Sequence, residues 1–447
     1  MIAAAHKSSG KTVVSVGLAA AFRARGKDIQ TFKKGPDYID PMWLSAAGER
    51  PCYNLDFNTM SPDEISVLFT SRSGSFSLIE ANKGLFDGVD VNGSDSNAEL
   101  AKILQAPVVL VVDTTGTTRG IAPLLLGYQA FDADVNIAGV ILNKTGGTRH
   151  EGKLRAAVET HTDIPVVGAV GKNPGLDIGE RHLGLTTPAE SGQLAEKIAG
   201  FGEIVGGSVD LDRLVGLAGH APTLPVKKVN PTAIPVPDLK IGIAQDTAFG
   251  FYYPDDLEAF ANTGATLVPI DTMHDTSLAK IDGLFIGGGF PETQMRQLSA
   301  NKSLRLDIKA AIENGLPTYA ECGGLMYLCN SLSWKDEHLP MVGVVDGDAV
   351  MCERPQGRGY AKYSTNPSHP WDEINGSQPA HEFHYARIDN LGKETVYGRS
   401  ITRGHGIDGE NDAIVVHNLL AGFCHLRNTD NNPWVQRFVD FVRRNRR

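Results

Sequence analysis

The sequence predicts an α/β protein: a doubly wound parallel sheet built on a P-loop, followed by a second α/β domain. Three observations predict it. Continuous apolar runs, Pro107–Asp113 (PVVLVVD) and Ile137–Asn143 (IAGVILN), alternate with helix-like segments over 94–104, 119–131 and 150–160, the pattern of parallel strands covered on both faces. Gly10-Lys11-Thr12 follows a short apolar start and opens a helical stretch, Val13–Arg25. Far downstream, Pro317–Leu328 (PTYAECGGLMYL) reads as strand, sharp turn and helix, with Cys322 on the turn. Between these halves, composition shifts from Phe201 to Leu239, with five prolines between Pro222 and Pro237. Proline at that density resists regular structure and makes a stiff connector. The expected organisation is therefore a first domain at 1–200, a linker at 201–239 and a second domain at 240–447.

Composition bounds the function. The chain has 447 residues, 41% hydrophobic and 21% charged, with a net charge of −10. That is a globular composition, and the acidic balance argues against a general nucleic-acid binder. No run of 18 apolar residues exists, so no membrane span is expected. Five cysteines, none in a CxxC pair, indicate neither zinc nor a disulfide framework. A reducing cytoplasm is the expected location, and no leader pattern precedes the first strand. That strand is short, which points to a start a few residues upstream.

Ala5–Thr12 (AHKSSGKT) is the P-loop pattern with Ala5 in place of the first glycine. Backbone N–H groups around Ser9 and Gly10 would wrap a polyphosphate, Lys11 would reach its outer oxygens, and Thr12 would hold Mg²⁺. The helix behind them presents its positive end to the phosphates. Thr31–Pro41 (TFKKGPDYIDP) follows strand two and offers Lys33, Lys34, Asp37 and Asp40. An ordinary polar loop is one reading; a loop serving metal and a phosphorylated intermediate is the other. Glu80 ends a strand in Ile79–Gly88 (IEANKGLFDG), and Asp113 ends PVVLVVD. Acids at such strand ends face Mg²⁺ or the reacting group in P-loop sheets, so Thr12, Glu80 and Asp113 form the expected metal set. Asn143 is placed to recognise a base. A further strand, Val166–Val170, precedes Arg181–Leu185 (RHLGL).

The second domain restarts with a strand at Lys240. Phe251–Asp255 (FYYPD) is either an aromatic core cluster or a face of a substrate pocket. Leu284–Glu292 (LFIGGGFPE) is a strand running into glycines, whose N–H groups, at Gly288 and Gly289 and with Gly323 of the elbow, make a candidate oxyanion hole. Gly323 and Gly324 permit the tight turn, and the helix start behind Cys322 favours a thiolate. Cys322 is therefore a nucleophile candidate; a buried structural cysteine is the competing reading. His425, in NLLAGFCHLRN, is the candidate proton carrier. Ala380–Tyr385 (AHEFHY) alternates as a strand, which puts His381 and His384 on opposite faces.

The strand, glycine loop, cysteine elbow and late histidine resemble the class I glutamine amidotransferase fold from about Lys240 onward. Many of its members carry Glu two residues after the histidine, where this chain has Arg427; those that build cobalamin also lack it and keep only Cys and His. Across nearly the whole chain, FKKGPDYIDP, the Glu80–Gly88 segment, PVVLVVD, IAGVILN and RHLGL follow the order of the cobyrinate a,c-diamide synthase family. The resemblance implies ATP-dependent activation of carboxylates on a modified tetrapyrrole, with Mg²⁺, and ammonia made from L-glutamine. It places Glu382 (family segment GHEFHY) near the acceptor site, as it does Lys34, Asp37, Asp40 and Lys83. Lys83 stands where Met is usual, and Lys33-Lys34 where FKVGPDYIDP is usual. This dialect looks like a branch thought to amidate sirohaem in sulfur-metabolising bacteria, which makes sirohaem the rival substrate. The expected partners are glutamine and the tetrapyrrole, with a homodimer as candidate assembly and neither nucleic acid nor membrane. A regulatory P-loop ATPase with a non-catalytic second domain is the rival from another class. It requires a degenerate elbow and a signature lysine five residues before Lys11, where this chain has His6.

Overall fold

A computed structural model of the chain describes residues 1–181, 184–188, 193–225, 235–372 and 374–446. It divides into two compact units, Met1–Val229 and Asn230–Arg447. His182 and Leu183 of the RHLGL segment, and linker residues 226–234, lie outside the described residues.

The first unit alternates strand and helix. In chain order it runs β1 (Ile2–Ala4), α1 (Lys11–Ala24), β2 (Ile29–Lys34), α2 (Ile39–Gly48), β3 (Tyr53–Leu55), α3 (Pro62–Arg72), β4 (Phe76–Glu80) and α4 (Asn97–Ile103). It continues with β5 (Val108–Asp113), α5 (Ile121–Phe131), β6 (Ile137–Thr145), α6 (Thr148–His161), β7 (Val166–Gly171), the short pair β8 (Glu180–Arg181) and β9 (Gly184–Leu185), α7 (Leu194–Ser208) and α8 (Leu211–Ala218). Seven strands form one parallel sheet in the order β3-β2-β4-β1-β5-β6-β7. Strand β5 shows why its sequence is a continuous apolar run. Val109 and Val111 join the core under α1 and α7, whereas Val108, Leu110 and Val112 join the opposite core with Leu125 of α5 and Leu154 of α6. Both faces are covered, so neither set of alternating positions can be polar. Lys33 and Lys34, read as the start of a loop, are the last two residues of β2 and are buried. Neighbouring parallel strands put Lys33 level with Glu80, so their side chains leave the same face.

The expected linker start is corrected. Residues 201–208 and 211–218 are helical, and the whole stretch belongs to the first unit. Phe201 and Val205 of α7 are fully buried, packed with Val16, Leu18 and Phe22 of α1 in one core. The glycines of this stretch lie where two helices approach closely. A Cβ on Gly202 would stand 3.0 Å from that of Ala20, and one on Gly206 2.9 Å from that of Ala21.

The second unit opens with β10 (Leu239–Ala244), β11 (Phe249–Phe251), α9 (Pro254–Asn262), β12 (Ala265–Ile270), β13 (Gly283–Ile286) and β14 (Gly288–Gly289). Then come α10 (Met295–Ala300), α11 (Lys302–Glu313), β15 (Thr318–Glu321), α12 (Gly323–Leu328), β16 (Cys329–Trp334), β17 (Glu337–Pro340), β18 (Val345–Met351) and β19 (Gly357–Thr365). It closes with β20 (Gln378–His384), β21 (Ala386–Asp389), β22 (Val396–Arg403), β23 (Asn411–Val416), β24 (Leu419–Gly422) and α13 (Trp434–Asn445). A nine-stranded sheet runs β12-β10-β13-β15-β24-β23-β22-β19-β20; its first five strands are parallel and the rest antiparallel. A separate four-stranded sheet runs β17-β16-β18-β21, with β16 and β18 parallel. Registers Ile286↔Ala320 and Glu321↔Gly422 align the ends of β13, β15 and β24. The glycine loop, the cysteine turn and the segment bearing His425 therefore leave the sheet side by side. Among the described residues, no helix is long and apolar enough to cross a membrane.

Phe201→Ala is expected to cost about 3–5 kcal/mol, as for a buried phenylalanine, read as unfolding of the first unit in denaturant. A residue in an extended linker would cost within about 0.5 kcal/mol.

Candidate functional site

The first unit's site is the loop between β1 and α1. Its carbonyls are fastened from outside. Asn143 Nδ2 donates to Ser9 O at 2.8 Å, Lys144 Nζ to Ser8 O at 3.1 Å, and Tyr128 Oη to Ala5 O. Ser9 Oγ closes the turn onto His6 O at 2.8 Å. Gly10 sits at φ 84°, and a Cβ there would meet Asn143 Nδ2 at 2.3 Å, so only glycine fits. Asn143, expected at a base, is thus buried against the loop it holds in shape.

Beneath the loop lies a cluster of buried charge. Thr12 Oγ1 is 2.8 Å from Glu80 Oε1 and 3.3 Å from Asp40 Oδ2. Lys33 Nζ lies 2.5 Å from Asp40 Oδ2 and 3.1 Å from Glu80 Oε1. Burial lowers the Lys11 ammonium, and Lys33 lowers it further; Glu80 and Asp40 oppose both. Burial raises the Glu80 carboxyl against the pull of Lys33. Asp37 is raised by burial and then by Asp40; its Oδ1 accepts the Ile39 and Asp40 N–H groups, which begins α2. Glu80 Oε2 is buried without a hydrogen-bond partner.

Asp113 departs from the expected metal set. Its carboxylate is turned to Lys144 at 2.8 Å and to the Thr115 N–H at 2.9 Å, and Asp40 stands beside Thr12 instead. Lys34 is also corrected. It is buried, donates to Asp95 O at 2.6 Å and lies over the Phe57 ring. Lys83 is exposed, at φ 42°.

The second unit's site is the turn between β15 and α12. Cys322 has φ 50° and ψ −102°, a strained conformation that a non-glycine residue holds only when its surroundings enforce it. The enforcement is visible: Cys322 N–H donates to Gly422 O at 2.7 Å, and Cys322 O accepts from Met326 N at 3.1 Å. A Cβ on Gly324 would lie 2.2 Å from Ile286 O, so the helix start packs directly on the neighbouring strand.

His425 reaches this turn from β24. A Cβ on Gly288 would meet its Cε1 at 2.5 Å, which is the close approach that demands glycine in that loop. The loop is braced by β11, paired antiparallel with β14, and by Tyr252, whose hydroxyl accepts the Gly287 N–H at 3.0 Å and donates to Ala244 O at 2.5 Å. FYYPD therefore forms a wall of the glycine loop. Gly289 and Gly323 adjoin: a Cβ on Gly323 would be 3.1 Å from Gly289 N.

The ring of His425 has charged partners. Burial pushes it down, but Cys322 and then Glu321 push it up further, to about 10. His425 Nδ1 is 3.4 Å from Glu321 Oε2. Behind it the His381 ring stacks at 4.8 Å and 13°, and His381 is driven well below the usual range by burial and then by His425. Sequence reasoning missed Glu321; its signal was an acid directly before the cysteine. Arg427 is buried, with Nη2 2.7 Å from Asp255 Oδ2 and Nε 3.9 Å from Asp256 Oδ1, over the Tyr253 ring. Glu382, expected near the acceptor, is turned inward: it accepts the His405 and Gly406 N–H groups at 2.6 and 2.8 Å.

A P-loop and a cysteine–histidine elbow in one α/β chain define a class, the ATP-dependent glutamine amidotransferases. The CobB/CobQ-like glutamine amidotransferase domain family matches residues 240–433, and an AAA domain family matches 57–178. A cobyrinate a,c-diamide synthase of Magnetococcus marinus is 41% identical, covering 99% of this chain and 96% of its own. Those of Methanosarcina acetivorans (36%, 95% and 91%) and Dehalococcoides mccartyi (35%, 98% and 97%) are also similar. The chain belongs to the cobyrinate a,c-diamide synthase family.

Arg427→Ala would leave Asp255 and Asp256 uncompensated. Breaking a buried pair from one side costs about 3–5 kcal/mol, so denaturant unfolding of the second unit is expected to show a loss of that size. A loss below about 1 kcal/mol would mean the pair is solvated.

Proposed function

We propose that this protein amidates peripheral, a,c-type carboxylates of a modified tetrapyrrole of the cobyrinate kind, using ATP and glutamine. The observation that carries the reading is the near-full-length match, across both units, to relatives named for that synthase. Each unit supplies half of the chemistry. In the second, His425 takes the Cys322 proton, and Sγ attacks the glutamine amide carbon; the same proton goes to the departing nitrogen, and water then releases glutamate. Donors at Gly288, Gly289 and Gly323 are the proposed cradle for the oxyanion. In the first, the substrate carboxylate attacks the γ-phosphoryl group of ATP, releasing ADP and leaving an acyl phosphate. Ammonia displaces phosphate from it to give the amide. Lys11 and the N–H groups of residues 9–12 bind the phosphates.

Thr12, Asp40 and Glu80 present oxygen donors, and the partnerless Glu80 Oε2 is available to a hard cation, so the set fits Mg²⁺. When bound, the ion would offset negative charge on the phosphates. Sirohaem draws no support from these relatives. Of the three lysines that suggested it, Lys33 and Lys34 are buried and committed within the protein, which leaves Lys83. The elbow is not degenerate, which counts against the regulatory ATPase.

A crossed experiment tests the reading. Cys322→Ala is expected to abolish glutamine-supported amidation of cobyrinate while ammonium still supports it. Lys11→Ala is expected to lower the rate from either nitrogen source by about 10²-fold or more. Glutamine use at the wild-type rate by Cys322→Ala, or unchanged ammonium-supported activity in Lys11→Ala, would refute the assignment. Lys83→Met is expected to raise KM for the tetrapyrrole and leave KM for ATP unchanged; a shift in the ATP value instead would move Lys83 out of the acceptor site.

A further inference from the structure

A base that serves a nucleophile is in turn oriented by a third group. The residue two beyond His425 is Arg427, and its guanidinium is engaged by Asp255 and Asp256. It can supply no carboxylate. The elbow's own strand does: we infer that Glu321, the residue immediately before the nucleophile, is the positioning residue for His425, so that the triad is Cys322–His425–Glu321. The inference rests on the glutaminase reading above and adds to it a third member.

The geometry carries it from several sides. Glu321 ends β15, its side chain is 3% exposed, and Oε2 lies 3.4 Å from His425 Nδ1. Its other oxygen is fixed independently: Oε1 accepts from the Tyr319 hydroxyl at 2.6 Å and from the Leu426 N–H at 2.9 Å. The Leu426 bond is informative, because the residue after the histidine donates to the residue before the cysteine. It ties the backbone of the base to the side chain that orients it, so the two cannot drift apart. Tyr319 is itself packed in the aromatic core against Phe285, Trp371 and Trp434, which makes it a rigid donor. Alternation along β15 turns Tyr319 and Glu321 to the same side of the sheet.

The other faces of the imidazole are accounted for. The stacked His381 ring bears a backbone pairing with His425, His381 N–H to His425 O at 3.2 Å and the reverse at 2.8 Å. His381 Nδ1 lies 3.4 Å from Tyr253 Oη, the ring over which Arg427 sits. The charged groups facing His425 are Cys322 and Glu321, with the His381 ring and the charged Arg427 behind. With Nδ1 turned to Glu321, Cys322 is the other group that raises His425, by charge and by a side-chain hydrogen bond. A carboxylate on Nδ1–H holds the tautomer in which Nε2 is the base and stabilises the imidazolium once the thiol proton has moved.

The test is Glu321→Gln in the full chain, with glutamine hydrolysis, ammonium-supported amidation and iodoacetamide alkylation of Cys322 read across pH. The inference expects kcat with glutamine to fall by about 10²- to 10⁴-fold, KM for glutamine to change little, and the ratio of ammonium- to glutamine-supported rates to rise accordingly. Removing the negative charge lowers the His425 proton affinity, so the alkaline limb of kcat/KM and the limb of Cys322 alkylation assigned to the ion pair should both move to lower pH. Tyr319→Phe, which removes one donor to Glu321 and keeps the ring, should loosen the carboxylate and lower the glutamine-supported rate by a smaller factor, with the ammonium-supported rate unchanged. It serves as the readout if the Gln variant does not fold. Wild-type glutamine kinetics in Glu321→Gln overturn the inference and leave the amidation reading intact. So does a loss shared equally by both nitrogen sources, or a wild-type glutamine-supported rate in Tyr319→Phe. Absence of glutamine hydrolysis in the unaltered protein overturns the amidation reading first, and this inference with it.

Discussion

Lys33 is 2% exposed and holds its ammonium between Asp40 and Glu80. Isolated in such a place, any one of the three charges would cost several kcal/mol of lost hydration. The cluster persists because each charge is met by another, and this requirement shapes the site above it. Thr12 turns its hydroxyl to the same carboxylates, Lys11 comes down beside them, and Asp37 anchors the start of α2 next to Asp40. A phosphate-binding loop thus rests on a floor whose charge is nearly balanced before any nucleotide arrives. Adding a polyanion above calls for little rearrangement of the protein, which is how preorganised electrostatics lower a barrier.

The second unit meets the same requirement with different groups. His425 is buried and raised to about 10 because burial is outweighed by Cys322, through charge and a hydrogen bond, and by Glu321. Arg427 is buried because Asp255 and Asp256 follow it into the interior. Two positively charged side chains two residues apart thus have separate acidic partners, one from β15 and two from α9. The neutral His381 between them, held low by burial and by the charges on either side, keeps the two systems apart.

Steric closeness is the other constraint. The parallel strands β13, β15 and β24 end level with one another, so their loops share a small volume. Glycine at 288, 323 and 324 reflects backbone and ring atoms within 2.2 to 3.1 Å of where a Cβ would stand. The strained Cys322 backbone is the result of that crowding, held by the Gly422 carbonyl and by the first turn of α12.

Periodicity and local chemistry were enough to read much of this from the chain. Continuous apolar runs mark β5 and β6 because both faces of a parallel sheet are covered, and the P-loop and elbow are legible because their glycines, lysine and cysteine are neighbours in sequence. The same local reading misplaced 201–218 as linker, since prolines from Pro222 onward mark the connector but not where the last helix before it ends. It placed Lys33 and Lys34 in a loop, since a buried lysine is readable only with its partners. Sequence by itself determined the strand–loop–helix units and the order in which their end residues appear. Which acids serve which bases was decided by the tertiary structure alone. Glu80 meets Lys33 across 47 positions and Glu321 meets the His425 segment across 105, because strand order and register bring together charges that a buried site cannot leave unpaired.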